Sequence, residues 1–391
     1  MPVIDYGNTA ARFTMPLCSD ENPSGLLYLF YHRQMKNIYL QIIEPEQQSQ
    51  GLVLATVTAS RGSTPQKPGC SALFVQNTLI AGTVGGGIVE SKIQEYAGKC
   101  SSTKESAYLH FSMDNDIEMK EEAVCGGTIS ILVDADPHGS LLVFQEMRQS
   151  LASGKPGVLL TQITAWGDPH VLIKRYWATG DSDLPLPDHF KAIIMQDVSN
   201  LLSSPDSAVY KELDLPVPGE KQTAKFFLEP VMPLPRLVIA GAGHIGRALS
   251  HLGRLLDFEV TVIDDRKEYA NPANLPDADH IIMKDIGEAM KEEKKDNNTY
   301  IAIVTRGHSH DADALKPCIG SAAAYVGMMG SKKKVAKMHE EFIKNKWATE
   351  EQWQEICTPI GIEIGSTTIE EIAVSIAAQL VQTRHKTQGK K

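Results

Sequence analysis

The sequence lacks the features that mark three common classes of protein. Its six cysteines are scattered and form no CxxC pair, which argues against an iron–sulfur site and a disulfide framework and favours a reducing compartment. No apolar run approaches the ~20 residues that a membrane helix needs. Met1–Asp5 shows neither the basic nor the apolar region of a secretion signal. These absences predict a cytoplasmic protein with no membrane partner.

An excess of basic charge is also missing. Lysine and arginine number 38 against 48 aspartates and glutamates, which gives a formal net charge of −10 at pH 7. Proteins that bind nucleic acid normally present a basic face, so the composition predicts no nucleic-acid partner. The 391 residues, 42% of them hydrophobic, are enough for two or three domains that each bury a core.

What the sequence does contain, after a proline-rich junction, is a dinucleotide-binding pattern. The apolar β run Leu237–Ala240 leads into a GxGxxG motif, an amphipathic helix and a second strand that ends at Asp264. The glycines of the motif are Gly241, Gly243 and Gly246. In this pattern the first permits a tight turn, the second lets a pyrophosphate approach the backbone, and the third lets the helix pack on the strand. Order and spacing together predict a Rossmann-like nucleotide-binding fold.

Six residues around this motif are candidates for binding a nucleotide. They are the three glycines of the motif, His244, Asp264 and Arg266. Free N–H groups at the helix start suit phosphates, and Asp264 lies where a ribose diol would be hydrogen-bonded. Arg266 could instead favour a 2′-phosphate. The sequence therefore leaves open whether the cofactor is NAD, NADP or another nucleotide, or whether the glycines only form a turn.

The region before the junction carries its own pattern of strands and helices. A strand or one helical turn is predicted over Leu26–Tyr31, a hairpin over Ser71–Ala81 and a helix over Ile88–Tyr96. We therefore predict an α/β protein of two domains. A separate α+β or α/β domain spans residues 1–228, and a Rossmann-like domain with a doubly wound parallel sheet spans residues 229–391.

Three glycine-rich turns in the first domain form a second candidate site. Their candidate ligand-binding residues are Ser63, Gly85, Gly86, Gly87, Gly126 and Gly127. A glycine run at a helix start can cradle a phosphate. Cys125 immediately precedes the third turn, where backbone N–H groups can stabilise its thiolate as a nucleophile or a soft-metal ligand. Tight turning between strands and an inert, buried cysteine are the simpler interpretations.

A loop rich in histidine and aspartate follows another predicted strand, Ile301–Val304. Its residues His308, His310, Asp311 and Asp313 could be metal ligands, or they could belong to a loop whose acids cap the following helix. We favour the second interpretation, because two of these side chains at most should face one point.

Eight stretches of the chain carry a resemblance to a known family. In sequence order they are Gly62-Ser63-Thr64-Pro65, Gly82–Glu90, Cys125-Gly126-Gly127, Gly241–Gly246, Thr305–His308 with Asp311, Tyr325–Ser331, Pro359–Gly365 and Glu370–Ala373. As a set they resemble the xanthine dehydrogenase accessory protein family. The chain departs from that family at Gln66, where arginine is usual, and at Cys70, where alanine is usual. Glutamine cannot supply the charge with which an arginine would hold an anionic ligand.

The resemblance implies a maturation chaperone. Such a protein binds the molybdenum cofactor (molybdopterin), protects it and helps to insert its sulfurated form into a xanthine dehydrogenase-type molybdenum enzyme. It also implies a homo-oligomer such as a homodimer, and a cysteine desulfurase as a further partner. Cys125 would then contact molybdenum or transfer sulfur, and Gly85–Gly87 would cradle a phosphate.

Two other functions fit the same residues. In an NAD(P)-dependent oxidoreductase the Rossmann domain would carry the chemistry, with His308 or Glu90 as the general acid–base. In a cofactor-free assembly factor the chain would bind the dehydrogenase without the cofactor, and Gln66 is the one sequence hint of this.

Overall fold

The fold is described from a computed structural model, which places residues 37–44, 47, 51–112, 127–167, 169–203, 210–217 and 223–388. The described residues from Ile38 onward belong to one compact unit. Their strands pair into two sheets, one of nine strands and one of five. The predictions for Leu26–Tyr31, Cys125 and Gly126 lie outside the described residues.

The nine-stranded sheet occupies the first part of the fold. Its strands are β1 (Leu52–Gly62), β2 (Ser71–Val75), β3 (Thr78–Gly82), β4 (Ser106–Ser112), β5 (Gly127–Asp134), β6 (Gly157–Gly167), β7 (His170–Ala178), β8 (Lys211–Pro216) and β9 (Thr223–Val231). They pair antiparallel in the order β3-β2-β1-β5-β4-β7-β6-β9-β8. Antiparallel pairing beside packed helices is the α+β arrangement, one of the two predicted for this region.

Helices cover both faces of this sheet at β1. The helices described in this region are α1 (Ile38–Ile42), α2 (Gly87–Thr103), α3 (Leu141–Ala152) and α4 (Asp188–Ser203). Val53, Ala55 and Val57 of β1 pack in one cluster with α2, whereas Leu52 and Leu54 pack in another with α1 and α3. Successive side chains of a strand point to opposite faces, so burial on both explains the uninterrupted apolar run of β1.

The five-stranded sheet is parallel and doubly wound, which confirms the predicted Rossmann fold. Its strands are β10 (Arg236–Ala240), β11 (Glu259–Asp264), β12 (His280–Met283), β13 (Thr299–Ile303) and β14 (Tyr325–Met328). Its helices are α5 (His244–Leu255), α6 (Ile286–Glu292), α7 (His308–Leu315), α8 (Lys332–Lys344), α9 (Glu350–Gln354) and α10 (Ile369–Gln388). The strand order β12-β11-β10-β13-β14 reverses direction between β10 and β13, and ligands bind at such a switch point. None of the helices described here is long and apolar enough to cross a membrane.

The end of α2 and the extent of β9 differ from what the sequence predicts. Helix α2 continues past the predicted end at Tyr96 to Thr103, because Ala97 and Cys100 extend its buried stripe at helical spacing. The predicted domain division at residues 228 and 229 falls inside β9, which runs on to Val231, and it stays a prediction.

Candidate functional site

The glycine-rich turns of the first domain meet at one end of the nine-stranded sheet. Gly62 and Gly127 are register partners at the ends of β1 and β5. A Cβ on Gly127 would lie 2.5 Å from a carbonyl oxygen of β1 and 2.9 Å from that of Ser63, so only glycine fits there. A Cβ on Gly85 would lie 2.9 Å from Cγ of Pro65. Segments distant in sequence therefore form one surface, which we call the glycine-turn surface: Ser63–Pro65, Gly85–Gly87 and Gly127.

The start of α2 exposes backbone N–H groups within this surface. Gly85, Gly86 and Gly87 have φ values of +134°, +67° and +58°, which L side chains rarely adopt. A Cβ on Gly86 or Gly87 would meet nothing within 4 Å, so the backbone at both positions is open. Helix α2 begins after Gly86 without a side-chain cap. Its first N–H groups and the positive end of its dipole are therefore available to an anion.

Thr83 and Glu90 hold the turn that leads into α2. The Thr83 hydroxyl donates to Oε2 of Glu90 at 2.8 Å and accepts the N–H of Gly85 at 3.1 Å. Glu90 thus serves as an acceptor that orders the turn, and its catalytic role stays a prediction. Thr83 was not among the predicted site residues. Its place two residues before the glycine run is the signal that could have identified it, because threonine often bonds nearby backbone in turns.

The two positions that depart from the accessory-family pattern contact each other. The thiol of Cys70 donates to Oε1 of Gln66 at 3.1 Å, and both side chains are half-buried. Cγ of Gln66 would lie 3.6 Å from a Cβ on Gly85, so the pair adjoins the glycine-turn surface. Gln66 brings an amide to this position and no positive charge. Cys125 stays a prediction, although Gly127, two residues further along the chain, lies in the surface.

The three glycines of the GxGxxG motif have different surroundings. Gly241 has φ +113°, and a Cβ there would lie 2.6 Å from the carbonyl oxygen of Val304. A Cβ on Gly246 would lie 1.9 Å from the carbonyl oxygen of Gly241, because α5 packs closely on the strand end. A Cβ on Gly243 would have no atom within 4 Å. His244, the first residue of α5, is exposed. The backbone at Gly243 is therefore open to a ligand at the switch point.

Asp264, at the end of β11, already accepts four hydrogen bonds from the protein. The donors are the N–H of Ala242 at 2.8 Å, the N–H of Arg266 at 3.0 Å, and Nε and Nη2 of Arg266 at 2.8 Å each. Burial by itself would raise the pKa of Asp264, but these hydrogen bonds outweigh it and lower the pKa to about 2. A ribose diol would have to displace Arg266, so the ribose contact stays a prediction.

The helices at the predicted ligand sites begin differently from other helices of the Rossmann domain. Helices α2, α5 and α7 have Gly86, Gly243 and Gly307 as N-cap residues, with no side-chain cap. Helices α6, α8 and α9 are capped by the side chains of Asp285, Ser331 and Thr349. Helix α3, which continues from a 3₁₀ turn, also lacks a side-chain cap. An N-terminus without a cap leaves N–H donors that a bound anion can satisfy.

The histidine- and aspartate-rich loop does not converge on one point. Helix α7 starts at His308, whose Nε2 lies 3.7 Å from Oε2 of Glu341. Asp311 is fully buried, accepts the hydroxyl of Thr305 at 2.6 Å and pairs with Lys334. The expectation that the acids cap this helix is therefore wrong for Asp311, because an ion pair to α8 takes its carboxylate. The general acid–base role of His308 stays a prediction.

Two buried cysteines, Cys100 and Cys318, are poorly suited to thiol chemistry. Burial raises the pKa of Cys100 to about 11 and that of Cys318 to about 12, so both thiols stay protonated at neutral pH. Within the ranges that the structure describes, no group of three or more histidine, cysteine, aspartate or glutamate side chains could hold a metal ion.

A groove of about 420 Å³ lies away from these surfaces. Its lining includes Asp134, Ser140 and Arg175. Asp134 ends β5, whereas Gly127 begins it, so the groove and the glycine-turn surface lie at opposite ends of that strand. Arg175 pairs with Asp134 and donates to Ser140, so these two opposite charges neutralise each other within the protein.

Two segments of the chain match known protein families. Residues 46–112 match the XdhC and CoxI family, and residues 237–380 match the XdhC Rossmann domain. The first segment contains Ser63 and the run Gly85–Gly87. The second contains the GxGxxG motif and His308. The Rossmann site therefore lies within a matched segment, and so does the first candidate site apart from Cys125, Gly126 and Gly127.

Similar proteins cover most of the chain. A Bacillus subtilis (strain 168) protein, named as a probable xanthine dehydrogenase subunit, is 25% identical over 337 residues, 85% of this chain and 93% of that protein. The uncharacterized protein YqeB of Escherichia coli (strain K12) is 22% identical over 354 residues, 90% of this chain and 47% of that protein. A crystal structure of a xanthine dehydrogenase from Bacillus halodurans, 21% identical, has the same fold with a TM-score of 0.65 over 89% of this chain and 96% of that one.

Proposed function

Because the chain belongs to the XdhC and CoxI family, we propose that it is an accessory protein of a xanthine dehydrogenase-type molybdenum enzyme. The family matches fall on both sheets, which supports a role for the whole fold rather than for one of its parts. The Bacillus subtilis relative, 93% of which is covered, is named as part of such a dehydrogenase. The proposed partner is therefore the molybdenum-containing part of that enzyme.

The proposed cargo is the molybdenum cofactor, held through its phosphate at the glycine-turn surface. One arrangement carries this proposal: glycine turns distant in sequence meet at a helix start that has open glycines and no side-chain cap. Such a start offers N–H donors and a positive dipole end to a phosphate. Gly86 and Gly87 would bind the phosphate, with Ser63 and Gly127 beside them.

Cys125 is the proposed contact to molybdenum or carrier of sulfur. A thiolate is a soft ligand that suits such a metal, and the strand that follows Cys125 begins at Gly127 in the glycine-turn surface. Cys100 and Cys318 suit this role less well, because burial raises the pKa of each thiol. We further propose that the sulfur comes from a cysteine desulfurase and that the protein acts as a homodimer.

The Rossmann cleft is proposed to hold a second phosphate-bearing group, such as a nucleotide. The support is the pair of open glycines, Gly243 and Gly307, which are the N-cap residues of α5 and α7 on the two sides of the switch point. An NAD(P)-dependent oxidoreductase is the weaker alternative, because Asp264 has no acceptor site left for a ribose diol unless Arg266 moves.

The test is the molybdenum and pterin content of the purified protein. Molybdenum would be measured by mass spectrometry and pterin by the fluorescence of its oxidised form, for the wild type, Cys125→Ala and Cys100→Ala. We expect molybdenum and pterin in the wild type, a clear loss of molybdenum in Cys125→Ala, and wild-type content in Cys100→Ala. The last variant is a matched control, because it removes a buried thiol near the other end of α2.

Each result has a distinct meaning. Equal molybdenum in Cys125→Ala and the wild type would remove Cys125 from the site while leaving the cargo in place. A wild type without molybdenum and pterin, even after reconstitution, would contradict the cargo. Co-purification with part of a dehydrogenase would then favour a cofactor-free assembly factor, whereas calorimetric binding of NAD(P) would favour an oxidoreductase.

A further inference from the structure

We propose that Arg306 binds the diphosphate of the ligand in the Rossmann cleft and that Asp265, its ion-pair partner, competes with the ligand for the guanidinium. The inference rests on the proposed phosphate-bearing ligand of this cleft, but it does not depend on the cargo of the first domain. Arg306 belongs to the Thr305–His308 stretch, and neither the sequence predictions nor the proposed function uses its side chain.

Arg306 and Asp265 join the two loops that flank the glycine loop. Strand β10 lies between β11 and β13, and the register of the three parallel strands shows that they end at the same level. Asp265 directly follows β11, and Arg306 lies in the loop after β13. Nη2 of Arg306 donates to Oδ2 of Asp265 at 2.8 Å. The ion pair therefore lies across the end of β10, where the glycine loop begins at Gly241.

This position is the switch point at which a phosphate group would lie. The loops after β10 and β13 touch, since a Cβ on Gly241 would lie 3.0 Å from Cα of Thr305. Helices α5 and α7 start from these two loops at Gly243 and Gly307, both open and neither with a side-chain cap. Arg306 stands between Thr305 and Gly307, so its charge adds to the N–H donors of both helix starts.

Arg306 can exchange its partner for a ligand, whereas Arg266 cannot do so easily. Arg266 holds the buried Asp264 through Nε and Nη2 and lies 3.9 Å over the ring of Tyr269. The side chains of Arg306 and Asp265 are 40% and 30% exposed, and an ion pair in that setting is weak. A diphosphate offers Arg306 adjacent anionic oxygens for charge-assisted, bidentate hydrogen bonds, which are stronger.

The experiment is calorimetric titration of the full chain with two probes, inorganic pyrophosphate and ADP. We expect Arg306→Ala to weaken the binding of both probes by about tenfold or more, and Arg306→Lys to recover part of the loss. Arg236→Ala is the matched control. Arg236 begins β10 at the opposite end of the same strand and forms a similar ion pair with Glu293, at 2.7 Å, so its loss should leave binding unchanged.

Asp265→Asn tests whether Asp265 competes with the ligand for Arg306. Release of Arg306 from its carboxylate should tighten pyrophosphate binding by about two- to fivefold. The same substitution in the Arg306→Ala background should give no such gain, because no guanidinium remains to be released.

Three results would overturn the inference. Equal affinities of Arg306→Ala and Arg236→Ala would show that Arg306 does not bind the diphosphate, while leaving the cleft as a ligand site. An equal gain from Asp265→Asn in both backgrounds would show that Asp265 acts only by repelling the anion. Failure of the wild type to bind either probe would remove both Arg306 and the cleft as a phosphate site, whereas pterin content decides the cargo separately.

Discussion

The carboxyl group of Glu229 is buried in β9 and accepts a hydrogen bond from the hydroxyl of Tyr39. Burial raises the pKa of Glu229 to about 7, although the hydrogen bond from Tyr39 and the charge of Arg175 act in the opposite direction. The ordinary pKa of this group is 4.5. At pH values between 4.5 and about 7, Glu229 therefore holds a proton in the folded chain that it has released in the unfolded chain. Stability must fall as pH rises through this range.

We expect Glu229→Gln to remove this dependence on pH. The glutamine is neutral at every pH, so the variant should match the wild type near pH 5 and exceed its free energy of unfolding by up to about 3 kcal/mol at pH 8. Urea unfolding at pH 5, 6, 7 and 8 measures the difference. A difference that stays constant across this range would contradict the assignment of the titration to Glu229.

Asp264 should show the opposite dependence on pH. Its pKa of about 2 lies below the ordinary 3.8, so its ionised form stabilises the fold above about pH 4, and this contribution is lost as pH falls toward 2. We expect Asp264→Asn to lower the free energy of unfolding by about 2 to 3 kcal/mol at pH 7, because Arg266 and the N–H of Ala242 no longer have a charged acceptor. Urea unfolding at pH 7 and pH 3 should show a smaller loss at the lower pH.

Asp265→Asn is the control for this prediction. Asp265 is the next residue, but its ion pair with Arg306 is exposed, so its loss should cost at most about 1 kcal/mol. If the two variants lost the same stability at pH 7, the hydrogen bonds of Asp264 would not stabilise the glycine loop as described.

At the scale of the element, the contact of α5 with β10 depends on one glycine. A Cβ at position 246 would lie 1.9 Å from the carbonyl oxygen of Gly241, so Gly246→Ala must push the helix off the strand end. We expect a loss of about 3 kcal/mol or more, measured by urea unfolding, or failure to fold, seen in circular dichroism. The Cβ that Gly243→Ala adds would have no atom within 4 Å, so this variant should lose less than about 1 kcal/mol of its free energy of unfolding. Similar stability of the two variants would refute close packing at Gly246.

At the scale of the whole molecule, charge governs how the protein behaves in solution. The chain carries a formal charge of −10 at pH 7 and has a pI near 5.7. Like charge keeps molecules apart, and that repulsion disappears at the pI. We expect light scattering to show the strongest self-association near pH 5.7 and little at pH 8. A maximum far from that pH would mean that a local patch dominates over the net charge.

Much of the Rossmann domain could be predicted because its signals are local. Gly241, Gly243, Gly246 and Asp264 lie within one strand–helix–strand unit, and their spacing along the chain sets their positions in space. The ion pair that takes Asp311 away from helix capping could not be predicted, because its partner Lys334 comes from a different helix. The same holds for the Arg306–Asp265 ion pair, which joins loops that only the strand order brings together.

The sequence by itself determined the class of the Rossmann region, the switch-point glycine loop and the resemblance to a family, because periodicity and motif spacing act over a few residues. Only the tertiary structure decided that Ser63, Gly85 and Gly127 belong to one surface, since β1 and β5 are paired by long-range contacts. It also decided that the carboxylate of Asp264 is already occupied by Arg266. Burial and hydrogen bonding arise only when distant parts of the chain pack together, so no local pattern encodes them.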